Sequence, residues 1–87
     1  MKEFFSSEYI EYLNKLFNRK IYVTVSDSEA SINIDWQSNF VIVKTESNGN
    51  IIYDFYYEER GSRTKYDRYS SEHRLKKGLE RPLRNVF

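Results

Sequence analysis

Apolar residues in this chain recur with two periods, and the switches between them mark its elements. From Ser7 to Asn18 the spacing is helical: Tyr9, Leu13 and Leu16 fall at i, i+4 and i+7, and Ile10, Leu13 and Phe17 fall close to it. Ser6 or Ser7 is placed to cap the first turn, Glu8 suits the positive end of the helix dipole, and Arg19 and Lys20 suit the negative end. Glu11, Asn14 and Lys15 make up the opposite, polar face. From Ile21 the period drops to two. Ile21, Val23 and Val25 alternate with Tyr22 and Thr24, and then Ala30, Ile32, Ile34 and Trp36 share a face against Ser31, Asn33 and Asp35. Residues Asn39 to Thr45 are apolar on both faces through Phe40, Val41, Ile42 and Val43, the mark of a central strand. A fourth strand follows from Ile51 to Glu58, with Ile51, Tyr53, Phe55 and Tyr57 toward the core and Ile52, Asp54, Tyr56 and Glu58 away from it.

Turn chemistry punctuates the strands. Asn48-Gly49 tolerates positive φ at both positions and predicts a tight hairpin; Glu59-Arg60-Gly61-Ser62 predicts another turn. Arg63 to Tyr69 reads as a fifth, basic edge strand, whose charges discourage pairing with a foreign sheet. Ser70 or Ser71 then caps a last helix, with Leu75, Leu79, Leu83 and Val86 as its apolar stripe. Gly78 weakens that helix, and Pro82 is expected to end it near Glu80. The predicted fold is α+β: an N-terminal helix, an antiparallel meander of four or five strands and a C-terminal helix. Because each helix has one apolar stripe, both are expected on one face of the sheet. The other face then exposes Tyr22, Thr24, Asn33, Asp35, Asp54, Tyr56 and Glu58, an acidic surface carrying tyrosine.

Length and composition narrow the class. The 87 residues suit one domain, 1–87. The absence of cysteine rules out disulfides and thiolate metal sites, so packing alone must hold the chain. No apolar run approaches the roughly 20 residues a membrane-spanning helix needs, and Met-Lys-Glu-Phe-Phe-Ser-Ser does not read as a signal peptide, so a cytoplasmic protein without a membrane partner is expected. The overall charge of +1 conceals a division. Residues 1–59 carry five basic and ten acidic side chains, net −5; residues 60–87 carry nine basic and three acidic ones, net +6. Such a dipole steers charged partners.

No catalytic motif accompanies it, and no cofactor or metal is expected. His73 is the lone histidine, between Glu72 and Arg74, without a second ligand at metal-binding spacing. Asp35, Asp54, Glu58, Glu59 and Lys65 resemble a magnesium-dependent nuclease set in composition only. Tyr66, Arg68, His73 and Lys77 would serve a small metal-free RNase. Arg63, Lys65, Tyr66, Arg68 and Tyr69 combine positive charge with rings that stack on bases, which makes nucleic acid the alternative partner.

One stretch resembles a known group. Tyr56-Tyr57-Glu58-Glu59-Arg60-Gly61 followed by Tyr69-Ser70-Ser71-Glu72 is similar to a pattern among small immunity proteins of bacterial polymorphic and contact-dependent toxin systems. The resemblance covers residues 50–87 and implies a non-catalytic antitoxin that binds and neutralises a cognate toxin. A phage-encoded inhibitor of host defence shares this size and composition. The expected partner is therefore a protein. Its contacts are assigned to Tyr22, Asn33, Asp35, Asp54, Tyr56 and Glu58, with Arg60, Arg63 and Arg68 as a second patch. The chain itself is expected as a monomer or a weak homodimer joined through the last edge strand.

Overall fold

The computed structural model describes residues 1–87. Helix α1 (Ser7–Phe17) is followed by β1 (Val23–Val25), β2 (Glu29–Asn33), β3 (Ser38–Ser47), β4 (Asn50–Glu59), β5 (Ser62–Tyr69) and α2 (Glu72–Val86). The five strands form one antiparallel sheet in the order β1-β2-β3-β4-β5. The predicted meander is thus complete, with all five strands. Ser6 caps α1 by accepting from the Tyr9 backbone N–H at 3.2 Å, and Asn18 ends it in the left-handed region at φ 50°. Both tight hairpins fall on the expected residues: Asn48 and Gly49 have φ of 52° and 77°, Arg60 and Gly61 of 51° and 80°.

Both helices pack on one face of the sheet. Leu13 and Tyr9 of α1, Leu75, Leu79 and Leu83 of α2, and Ile32, Phe40, Ile42, Tyr53 and Phe55 of the sheet make one buried cluster. Each fully buried leucine contributes roughly 1.5–3 kcal/mol. Met1, Phe4 and Phe5 belong to the same cluster, a contribution the helical and strand periods do not announce because these residues precede the first helix. Phe4 meets Phe5 and Tyr9 edge-on, at centroid distances of 4.8 and 5.4 Å. Asn14, expected on the polar face of α1, turns its Oδ1 to the Ile21 N–H at 2.7 Å and so ties α1 to the start of the sheet.

Three expectations need correction. Helix α2 does not stop near Glu80 but runs through Pro82 to Val86. Proline removes the bond that residue 82 would donate to the Gly78 carbonyl, yet Pro82 and Leu83 are buried, and packing outweighs the local preference. Gly78 is more than a weak point: a Cβ there would overlap the Tyr69 hydroxyl and ring, so the glycine admits the end of the Tyr69 side chain against α2. Trp36, expected on the inward face of β2, is 89% exposed, because the strand ends at Asn33.

Candidate interaction surfaces

The sheet face without helices is built in rows. Thr24, Ser31, Val41, Tyr56 and Lys65 lie side by side across the five strands; Glu29, Val43, Asp54 and Arg68 form a second row, and Asn33, Asn39, Glu58 and Arg63 a third. The sequence suggested an acidic surface here with the arginines elsewhere. Instead β5 brings its cations onto the same face. The Arg68 Nε donates to Asp54 Oδ1 at 2.7 Å, and the Lys65 ammonium lies 3.2 Å from the same oxygen. Arg63 donates from Nε to Glu58 at 2.8 Å and from Nη1 to Glu29 at 2.9 Å. Arg63 and Arg68 are therefore no separate patch, and the carboxylates of this face are matched by cations.

A β-bulge creates that match. Counting outward from the Arg60-Gly61 turn, a regular hairpin pairs Glu58 with Arg63 and Tyr56 with Lys65, and would next set Asp54 against Asp67. A register shift between Phe55 and Tyr56 inserts Tyr66 as the extra residue and places Arg68 opposite Asp54 instead. Two facing carboxylates are replaced by an ion pair. The hydrogen bond from Arg68 holds the Asp54 carboxyl below the usual carboxylate range, against the opposing effect of burial, with help from Lys65.

This face also curls. Arg63 on β5 reaches Glu29 on β2, in another row and three strands away, although the three strand spacings alone amount to about 14 Å in a flat sheet. On its way the guanidinium carbon lies 6.0 Å from the Tyr56 ring centroid, with the Lys65 ammonium 5.7 Å from the same ring. Val41, in the row of Tyr56, is 0% exposed although no helix covers it.

At one end of the sheet a second surface gathers the remaining sequence-derived positions. Trp36 stands in the β2–β3 turn, which is heavily bonded. Ile34 and Asp35 donate backbone N–H groups to the Ser38 carbonyl, and the Gln37 N–H donates to Asp35 Oδ1 at 2.9 Å. Gln37 in turn holds the β4–β5 turn: its carbonyl accepts from the Arg60 N–H, and its Oε1 accepts from Arg60 Nε at 3.0 Å. Asn33 donates its amide to the Asp35 carbonyl and its backbone N–H to Tyr22. Asp35 is thus a turn residue, not a member of the flat face, and Tyr22 precedes β1 rather than lying in it. Asp35 lies in the Trp36 turn, Arg60 is bonded to Gln37 of that turn, and Asn33, at the end of its row on the sheet face, joins the turn to the Tyr22 carbonyl, while Asp54, Tyr56, Glu58, Arg63 and Arg68 belong to the curled face. Alternation carries on past the strand end and by period alone sets Trp36 inward; the polar run Asp35, Gln37 and Ser38 is the turn signal.

A third surface is a groove between β5 and α2. A depression of about 810 Å³ is lined by Tyr66, Arg68, Tyr69, Arg74, Lys77 and Arg81 among others, and an adjoining one of about 560 Å³ shares Tyr66 and Pro82 with it. Burial and then the Asp67 charge push the Tyr69 phenol up to about 12, so it stays a neutral hydroxyl. Three of the four RNase candidates, Tyr66, Arg68 and Lys77, line the groove, but His73 does not; it is exposed elsewhere on the first turn of α2. The carboxylates considered for a metal nuclease do not assemble into a three-ligand set. No helix is long and apolar enough to cross a membrane. Comparison with protein-family models, with curated proteins and with solved structures finds no match to this chain.

Proposed function

We propose that this chain is a non-catalytic inhibitory binding protein whose partner is another protein, of the class that neutralises a cognate bacterial toxin by direct binding. The observation that carries this reading is Trp36: a large aromatic side chain, almost wholly exposed, on a turn fixed by hydrogen bonds within itself and to the β4–β5 turn. Binding hot spots are enriched in tryptophan, tyrosine and arginine, and a turn whose backbone is already fixed lowers the ordering cost of docking. Asp35 and Arg60 are bonded to Gln37, the residue next to Trp36, and so belong to the same end of the sheet. The likeness of residues 50–87 to immunity proteins gives the reading its biological class. An RNase reading is weaker, because the one imidazole lies outside the groove that holds its supposed partners.

The test has two steps. Produced alone, the protein should be harmless to its host, and a toxin-class activity would appear as growth arrest. A partner recovered by co-purification and identified is then titrated against the wild type and Trp36→Ala. Binding should weaken by about thirtyfold or more, equivalent to about 2 kcal/mol, with an unchanged melting temperature. Equal affinity for both proteins rejects the Trp36 end as the interface.

A further inference from the structure

The cations of α2 divide by face. Lys76 lies over the rings of Phe4 and Tyr9, at 5.6 and 4.8 Å, and Arg84 approaches Glu80 at 3.9 Å. Those turned toward β5 are different. Arg74, Lys77 and Arg81 line the groove, are exposed, and take part in no ion pair. They follow one another at i, i+3 and i+7 along about 10 Å of helix. Across from them stands Tyr66, the bulge residue, 52% exposed and braced edge-on against Phe55 at 5.4 Å. It lies where the two depressions meet, beside Pro82. Groove carboxylates are few: Asp67 accepts from the Arg68 N–H with one oxygen, and Glu59 lies at the far end. Lys65 and Arg68 also line the groove but are committed to Asp54.

We propose that the groove between β5 and α2 binds single-stranded nucleic acid, with Arg74, Lys77 and Arg81 on successive phosphates and the Tyr66 ring as a stacking platform for a base. Unpaired cations call for an anionic occupant. A braced, half-exposed ring among them selects among anions, because the carboxylates of an acidic peptide satisfy the cations but bring no aromatic face to stack on the ring, whereas every base does. The proposal does not depend on the protein-binding reading, since Trp36 and the groove share no residue.

The test uses the whole protein and a fluorescent oligouridylate of about twelve nucleotides, followed by anisotropy. Binding is expected, with log K falling against log salt at a slope of about −2, the value for three phosphates on a single strand. Changing Arg74, Lys77 and Arg81 together to Gln should flatten that slope and cost at least about tenfold in affinity at low salt. The single change Lys77→Gln should make the slope shallower by about 0.7, which provides a reading even if the triple variant does not fold. Tyr66→Leu should weaken binding about tenfold at unchanged slope, and Tyr66→Phe should retain it. Absence of binding by the wild type, or indifference to the cation changes, overturns the proposal. So does polyglutamate competing as well as the oligonucleotide while Tyr66→Leu has no effect; that result assigns the groove to an acidic protein segment.

Discussion

The sheet face and the α2 groove draw on the same nine basic residues of the C-terminal third, and use them in opposite ways. On β5, Arg63, Lys65 and Arg68 are held by carboxylates from β2 and β4. On α2, Arg74, Lys77 and Arg81 have no such partner. A strand shares its face with every neighbouring strand, so its charges meet those of sequence-distant segments. The outward face of a terminal helix meets only solvent and the groove. A charge division along the sequence therefore does not translate into a charge division of the surface. The part of the +6 carried by β5 largely cancels against the −5 of residues 1–59, and the helix supplies most of what remains free.

The largest effect that would break this comparison comes from Asp54. It is only 9% exposed and receives two cations, so Asp54→Lys sets three positive charges together and removes their counter-charge. A loss of about 3 kcal/mol is expected in chemical denaturation, against less than about 0.5 kcal/mol for Arg74→Glu in the groove. Similar values for the two changes would mean that the ion pairs of the sheet face are as dispensable as the unpaired cations of α2.

A smaller effect tests the wall of the groove. By helix propensity alone Gly78→Ala should stabilise α2 by about 1 kcal/mol. The overlap with Tyr69 reverses the sign, and a loss of about 2 kcal/mol is expected. Combining it with Tyr69→Ala should recover the propensity gain relative to Tyr69→Ala alone, a non-additivity that places the strain between these two residues.

The smallest concerns acid. The folded-state value of Asp54 lies below that of the unfolded chain, so on acidification the unfolded state takes up the proton first. The ion pair's contribution is complete above about pH 4 and is lost as the pH falls below it. Urea midpoints should therefore drop on going from neutral to strongly acidic solution, and less so for Asp54→Asn. An identical drop in both proteins would assign the acid sensitivity to other carboxylates.

These effects also show what the sequence discloses and what it conceals. Local chemistry is legible: the caps at Ser6 and Ser71, the glycines at 49 and 61, and the inward set Ile51, Tyr53, Phe55 and Tyr57 of β4 match the structure, whereas Asp54, expected in the open, is buried beneath its cations. Errors arise where a distant contact overrides a local rule. Pro82 continues a helix because the core holds it, and Trp36 leaves the core because the chain turns before reaching it. The nine positions named for binding are brought to two surfaces, but their pairing was hidden. The Glu58–Arg63 pair follows from the turn alone, whereas Asp54–Arg68 needs the bulge at Tyr66, and Glu29–Arg63 needs the curl of the whole sheet. Phe4 and Phe5 give no period at all, being too few to show one.

The meander has a kinetic consequence. Every strand pairs with the strand before or after it in the chain, and the two longest hairpins close through two-residue turns. Loop-closure entropy for these pairings is small, and a topology rich in near-neighbour contacts folds fast for a sheet protein. The β3–β4–β5 unit is able to zip up from its own turns before the chain ends arrive. Closing contacts are the ones that span the sequence: the Met1 ammonium on the Ser26 and Asp27 carbonyls, and Tyr12 Oη on Glu80. Amide exchange should accordingly be slowest in the middle of β3 and β4, with both termini opening first.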